Sequence, residues 1–171
     1  RMIVFGVGHY PYLNDVWTLD LTPGAEAWAR LSPAGTPPEA RSEHSAIYDA
    51  AHGRMIVFGG GDHNDVWALD LSTPGAEAWT QLSPAGTSPP ARSEHSAIYD
   101  AAHGRMIVFG GWESLNDVWA LDLTPGAEAW TQLSPAGTPP PARGGHTAIY
   151  DAAHSRMIVF GGGYNDVWAL D

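Results

Sequence analysis

The chain has 171 residues, about one domain by length, and its 44% hydrophobic content with 8 Trp gives it the means to bury a core, which excludes disorder as its default state. Its 20 Gly and 14 Pro stay below the share that marks low complexity, and the absence of Cys excludes a disulfide framework, thiolate metal sites and a cysteine nucleophile. Nineteen acids against 8 bases, every base an Arg, give a net charge of −11, which argues against nucleic-acid partners because phosphate binding needs a basic patch. No apolar run exceeds about five residues, far short of a membrane span, so a soluble chain with no membrane partner is expected. The sequence carries no signal of compartment. Lacking an initiator Met and stopping in mid-pattern at Asp171, it reads as a piece or a processed product of a longer chain.

The first element, Met2-Ile3-Val4-Phe5, is a short apolar run between Arg1 and Gly6, suited to a strand buried on both faces. The run RMIVFG then returns at Arg54, Arg105 and Arg156, at spacings of 53, 51 and 51. A segment of variable length follows each copy: VGHYPYL (7–13), GGDH (60–63), GWESL (111–115) and GGY (162–164). Next comes N-D-V-W, from Asn14, Asn64, Asn116 and Asn165, whose continuation alternates, with Trp67, Leu69 and Leu71 on one side and Val66, Ala68 and Asp70 on the other. After a T-P-G turn, A-E-A-W recurs at 25–28, 76–79 and 127–130. A Pro-rich linker leads to H-[ST]-A-I-Y-D-A-A-H from His44, His95 and His146, which closes the period with a turn. No stretch holds a 3.6-residue apolar period, so the expectation is all-β, with four antiparallel strands per repeat.

These features resemble the kelch repeat. The family pattern has a Gly-Gly doublet, an aromatic-bearing strand and a further Trp about a dozen residues on; here these are Gly60-Gly61, Trp67 and Trp79, then Gly110-Gly111, Trp119 and Trp130. An R-x-x-H segment opens the next strand, as from Arg92 to His95, and the first unit departs with Gly6-Val7-Gly8. The resemblance implies a kelch-type β-propeller of four-stranded antiparallel blades, strands A to D running outward from a central channel. On that mapping the chain reads B-C-D, A-B-C-D, A-B-C-D, A-B-C, about 3.5 blades and 14 strands, in units 1–53, 54–104, 105–155 and 156–171. Open edges demand closure. A small imperfect ring, half of a larger ring and an excerpt of a longer array all fit, and near-identical blades favour head-to-tail self-association with a second copy.

In an antiparallel blade the B–C and D–A connections leave at one end, so the variation between copies gathers on one face. That face is the expected site of protein or peptide contact, with His9, Tyr10, Tyr12, Asp62, His63, Trp112, Glu113 and Tyr164 as candidate ligand residues. Arg41, Arg92 and Arg143 are further candidates, through a guanidinium offered to an acidic ligand as in kelch domains that bind acidic peptides; the competing reading makes them ion pairs that anchor blades or loops. His44, His95 and His146 would ring the channel mouth, where they are weak metal candidates or hydrogen-bond a neighbouring blade. His52, His103 and His154 read as solvated turn residues, the N-D-V-W aspartates as turn formers, and the tryptophans as packing between blades. The galactose oxidase family shows that kelch propellers can be enzymes, but its Tyr–Cys cross-link has no counterpart in a chain without Cys. No G-x-S-x-G, phosphate loop or H-E-x-x-H is present. The expectation is a non-catalytic scaffold module with no cofactor; a self-assembling structural protein and a lectin-like or metal-binding propeller are the alternatives.

Overall fold

The computed structural model of the chain describes residues 1–6, 10–112 and 115–171. Among them are fourteen strands in four antiparallel sheets and no helix. The first sheet is β1 (Met2–Phe5), β2 (Val16–Asp20) and β3 (Ala27–Leu31). The second is β4 (Ser45–Asp49), β5 (Arg54–Phe58), β6 (Val66–Asp70) and β7 (Ala78–Leu82); the third is β8 (Ser96–Asp100), β9 (Arg105–Gly111), β10 (Leu115–Asp122) and β11 (Ala129–Leu133). The fourth is β12 (His146–Asp151), β13 (Arg156–Gly161) and β14 (Val167–Leu170). Strands pair in sequence order within each sheet, and the innermost strands β4, β8 and β12 stand side by side. This is the expected row of propeller blades, with a three-stranded sheet at either end.

The strand period of two explains how the sheets stack. In β5, Met55 and Val57 face the first sheet, while Ile56 and Phe58 face the third. The alternation read in V-W-A-L-D-L does the same work in β6: Trp67, Leu69 and Leu71 go one way, Val66 and Ala68 the other. Three apolar clusters result, one at each junction between successive sheets. At the first two junctions a Phe from one sheet meets the outer-strand Trp of the next, Phe5 with Trp79 at 5.1 Å and Phe58 with Trp130 at 4.9 Å between ring centroids. Trp28 departs from the expected packing. It lies on the outer face of the first sheet, where no preceding sheet covers it, and is exposed.

Polar staples run beside the apolar joints. Arg54 reaches across the second junction, its Nη1 donating to Glu128 Oε1 at 3.0 Å, and Arg1 approaches Glu77 at 3.8 Å across the first. Tyr150 Oη donates to Asp100 Oδ1 at 2.9 Å across the third. Each staple joins the R of one R-M-I-V-F, or the D of one Y-D, to the repeat that follows. Because Phe58 is fully buried between two sheets, Phe58→Ala is expected to cost about 3–5 kcal/mol of unfolding free energy, read from urea denaturation.

Candidate functional site: the loop face

The B–C loops and the D–A linkers do meet at one end of the sheets. The Arg41 amide donates to the Leu13 carbonyl, Arg92 to His63 and Arg143 to Leu115, each tying a linker to the loop of the sheet before it. In the same linkers the amide of Gly60 donates to the Arg92 carbonyl and that of Gly111 to the Arg143 carbonyl, both at 2.9 Å. Such close approach explains the Gly doublet. A Cβ on Gly60 would sit 2.6 Å from the Ser42 carbonyl oxygen, and on Gly111 2.9 Å from that of Ser93. The departure from the doublet in the first unit falls at residues 7–9, outside the described residues.

The three arginines are structural anchors. Arg92 is buried, its Nη1 and Nη2 donate to both oxygens of Asp117 at 2.8 and 2.9 Å, and Nη1 also donates to the Gly110 carbonyl at 3.0 Å. Arg41 with Asp65, and Arg143 with Asp166, repeat the arrangement. The second donor to each carboxylate is the indole N–H two residues on, Trp67 to Asp65 at 2.7 Å and Trp168 to Asp166 at 2.7 Å. In the second, third and fourth sheets the N-D-V-W aspartate thus receives a guanidinium and an indole, where an Asx-type turn bond was expected; Asp15 in the first receives the Trp17 indole N–H. Burial pushes the Asp65 and Asp117 carboxyls up, but the Arg and Trp hydrogen bonds outweigh it and hold both below the usual range. The Arg143 fork holds the Asp166 carboxyl at about 2. The forks of Arg41, Arg92 and Arg143 are committed inside the chain, and of the two readings of these arginines the ion pair is the one formed.

His44, His95 and His146 serve the joints between blades. His95 Nε2 shares a hydrogen bond of 2.7 Å with Ser45 Oγ of the preceding sheet, and His146 Nε2 one of 2.8 Å with Ser96 Oγ. Each imidazole also stands edge-on to a Phe of that sheet, Phe5, Phe58 and Phe109 in turn. Burial, and then the charge of Arg92, lowers the His95 pKa to about 3, and burial lowers His44 and His146 likewise. Among the described residues, no three His, Asp or Glu side chains converge to hold a metal. The outer set, His52, His103 and His154, is exposed as expected, each Nδ1 lying 2.8 Å from the Asp three residues earlier.

One place on this face differs from the rest. A groove of about 520 Å³ opens between the third and fourth sheets, bordered by Trp112, Tyr164 and Glu94 and floored by glycines including Gly111, Gly144 and Gly162. Trp112 is 63% exposed and Tyr164 47% exposed; the Tyr164 ring lies 4.7 Å from the guanidinium carbon of Arg143. Each departure from the repeat contributes. Trp112 stands where Gly61 and Gly163 stand in the neighbouring units, Tyr164 where His63 and Leu115 stand, and Gly144-Gly145 where Ser42-Glu43 and Ser93-Glu94 stand. A Cβ at 144 would lie 2.9 Å from Glu94 Oε2 and 3.0 Å from the Trp112 amide nitrogen, so the glycine lets both sit close. Of the other candidates, Tyr10 and Tyr12 are exposed and stack edge-to-face with centroids 6.3 Å apart. Asp62 is exposed and His63 is half-buried, 3.9 Å from Glu39. His9 and Glu113 lie outside the described residues.

A profile of the KLHDC2/KLHL20/DRC7 Kelch-repeats domain matches residues 1–171. The chain is 32% identical to the Rab9 effector protein with kelch motifs of Xenopus laevis over 152 residues, covering 82% of this chain and 40% of that protein. It is 31% identical to adagio-like protein 1 of Oryza sativa subsp. japonica over 185 residues, 94% of this chain and 28% of the relative. It is also 31% identical to host cell factor 1 of Homo sapiens over 188 residues, 92% and 9% respectively. The chain spans well under half the length of each of these relatives. A solved structure titled "Structure of YjhT" superposes with a TM-score of 0.56 at 21% identity, covering 71% of this chain and 34% of that one.

Two outcomes follow from this chemistry. Arg92→Ala leaves the Asp117 carboxylate without its fork and is expected to lower stability by about 3–5 kcal/mol in chemical denaturation. His95 stays neutral in the fold until about pH 3, whereas the unfolded chain takes up a proton below about 6.5. Stability is therefore complete above pH 6.5 and falls as the pH drops, by on the order of 3 kcal/mol from His95 alone at pH 4. Urea titrations between pH 7 and 4 read the slope, which His95→Asn should flatten.

Proposed function

The chain belongs to the kelch-repeat family, and we propose that it is a non-catalytic binding or scaffold module that takes a protein or peptide on its loop face. The observation that carries this reading is the convergence of the repeat-breaking residues Trp112, Gly144 and Tyr164 on one groove. Differences between the repeats occur elsewhere too, as at Thr18, Arg30 and Ser155, but here two exposed aromatic rings, a glycine floor and the Glu94 carboxylate share one opening. Aromatic side chains supply large contact area at low entropic cost, and a glycine floor lets a ligand backbone approach closely. Glu94 is the one carboxylate among the described lining residues, which suits contact better than paired acid–base chemistry. That one relative is named as a Rab9 effector is in keeping with a protein-binding role. Tyr10, Tyr12, Asp62 and His63 extend the proposed surface along the same face, while Arg41, Arg92 and Arg143 contribute by holding its loops.

A second reading, self-association to complete the ring, is favoured by the near-identity of the repeats. The lectin-like alternative would place a sugar ring on Trp112, and a glycan array separates it from the peptide reading.

Panning a random peptide library on the chain, and re-testing the selected peptides on variants, checks the leading reading. Trp112→Gly, which installs the residue of the neighbouring repeats, should weaken the selected peptides tenfold or more. His103→Ala, on the far turn, should leave them unchanged. Peptides that bind the Trp112→Gly chain as well as the parent would refute the groove.

A further inference from the structure

We propose that the loop-face groove takes an arginine side chain of an extended partner peptide, with the guanidinium stacked on Trp112 and forked on the Glu94 carboxylate. The proposal rests on the peptide-binding reading and supplies the chemistry of the residue that the groove selects.

Glu94 precedes β8 and Trp112 follows β9, both strands of the third sheet. That sheet is packed between the second and the fourth, so the surroundings of the two residues are set inside residues 1–171. An acid and an aromatic coincide in this sheet and not in its neighbours: the second has Glu43 with Gly61, and the fourth has Gly145 with Gly163. Gly144 brings the two together. Glu94 Oε2 and the Trp112 amide nitrogen lie 2.9 and 3.0 Å from where its Cβ would stand, so both flank one glycine of the groove floor.

The backbone of Glu94 is held in a conformation that its residue type disfavours. Its φ is +55°, in the left-handed region, whereas the matching residue of the next linker is Gly145 at +67°. Its amide donates to the Glu43 carbonyl at 3.1 Å and its carbonyl accepts from the Gly145 amide at 2.9 Å, so the neighbouring linkers fix it on both sides. A glycine would serve that geometry without strain. What Glu94 adds is a carboxylate at the groove, and a strained residue kept in place points to a use for its side chain.

That carboxylate is uncompensated. Arg143 is the one cation among the described lining residues, and both its Nη atoms are committed to Asp166; among the described residues no Arg or His pairs with Glu94. Trp112, 63% exposed, leaves its ring open to contact. An exposed indole beside such a carboxylate fits a cation, and a planar one best. A guanidinium can lie on the ring and donate a parallel pair of N–H bonds to the carboxylate at once, whereas an ammonium is a compact, strongly hydrated point charge. The net charge of −11 favours the approach of a basic segment and opposes that of an acidic one.

An array of random-sequence peptides whose central residue is fixed as Arg, Lys, citrulline or Glu, probed with the whole chain, tests the choice the groove makes. Arg-centred peptides should bind most strongly. The best of them, remade with citrulline, which keeps the shape and removes the charge, should bind at least tenfold more weakly by fluorescence polarisation. Glu94→Gln should erase that difference while leaving the affinity for the citrulline peptide unchanged, which a misfolded variant could not do; Trp112→Gly should weaken both peptides. A parent that binds the Arg and citrulline peptides alike, that prefers Lys or Glu at the centre, or that keeps its Arg preference in Glu94→Gln overturns the arginine site alone. Peptides held equally by the parent and by Trp112→Gly overturn the arginine site together with the peptide reading of the groove.

Discussion

A strand whose side chains are apolar on both faces cannot rest at the surface of a protein on either side. The M-I-V-F and V-W-[AT]-L runs impose that condition on the B and C strands of every sheet, and the rest of the architecture follows from satisfying it. One sheet packed on another would leave each with an exposed apolar side. A row solves the problem for inner sheets, and curvature into a ring solves it for all of them. The second and third sheets, buried on both faces, hold the residues that solvent does not reach at all, such as Ile56, Leu69, Met106 and Leu121. The end sheets hold the same residue types half in water on their outer faces.

Apolar packing alone would not specify which face meets which, since leucine, valine and methionine interchange at small cost. The polar staples supply direction. An Arg of one sheet reaches a Glu of the next, a Tyr reaches the Asp of the sheet before it, and a His reaches the Ser of the sheet before it. Each pair is satisfied only when sheets follow one another in the same sense. At the loop end a further layer, the Arg–Asp fork with its Trp donor, pins each linker to the loop it crosses. A buried guanidinium without that fork would be expensive, so linker, loop and strand must arrive together.

The strands, their pairing and the count of fourteen were legible in the sequence because they rest on local pattern: period two, turn residues and a repeat that shows every unit three or four times. The convergence of the B–C and D–A loops was legible too, because it follows from antiparallel parity alone. The fate of Arg41, Arg92 and Arg143 was not, since a basic residue beside a Pro-rich loop has the same sequence signature whether it faces a ligand or an aspartate some two dozen residues on. A sharper signal did exist. Each R-x-x-H is followed by the N-D-V-W of the next unit, and a buried Arg needs a carboxylate that recurs with it. The exposure of Trp28 was not legible for a different reason: its type matches Trp79 and Trp130, but burial belongs to the junction, and residues 1–171 hold only three junctions, none on that face. The groove was only partly legible. Trp112 and Tyr164 stood out as departures from the repeat, but that they share an opening with Gly144 depends on which loop crosses which linker.

Repetition sets what such a chain can do chemically. A ring of like units offers every ligand several equivalent positions, and equivalent positions cannot hold the different groups that one asymmetric ligand requires. A site must therefore be made by breaking the repeat, and the breaks must fall where the packing does not need the consensus residue. Most apolar strand positions are barred because they belong to a joint, and the Arg, Asp and Gly of the loop face are barred because each belongs to an anchor. What remains free is the short stretch after the Gly doublet and the two residues ahead of each inner His. Those are the positions that Trp112, Tyr164 and the Gly144-Gly145 pair occupy, and the anchors on either side, Arg92 with Asp117 and Arg143 with Asp166, hold the walls of the groove in place. The same fork that commits the arginines inside the chain thus gives the variable residues the rigid frame that the proposed contact needs.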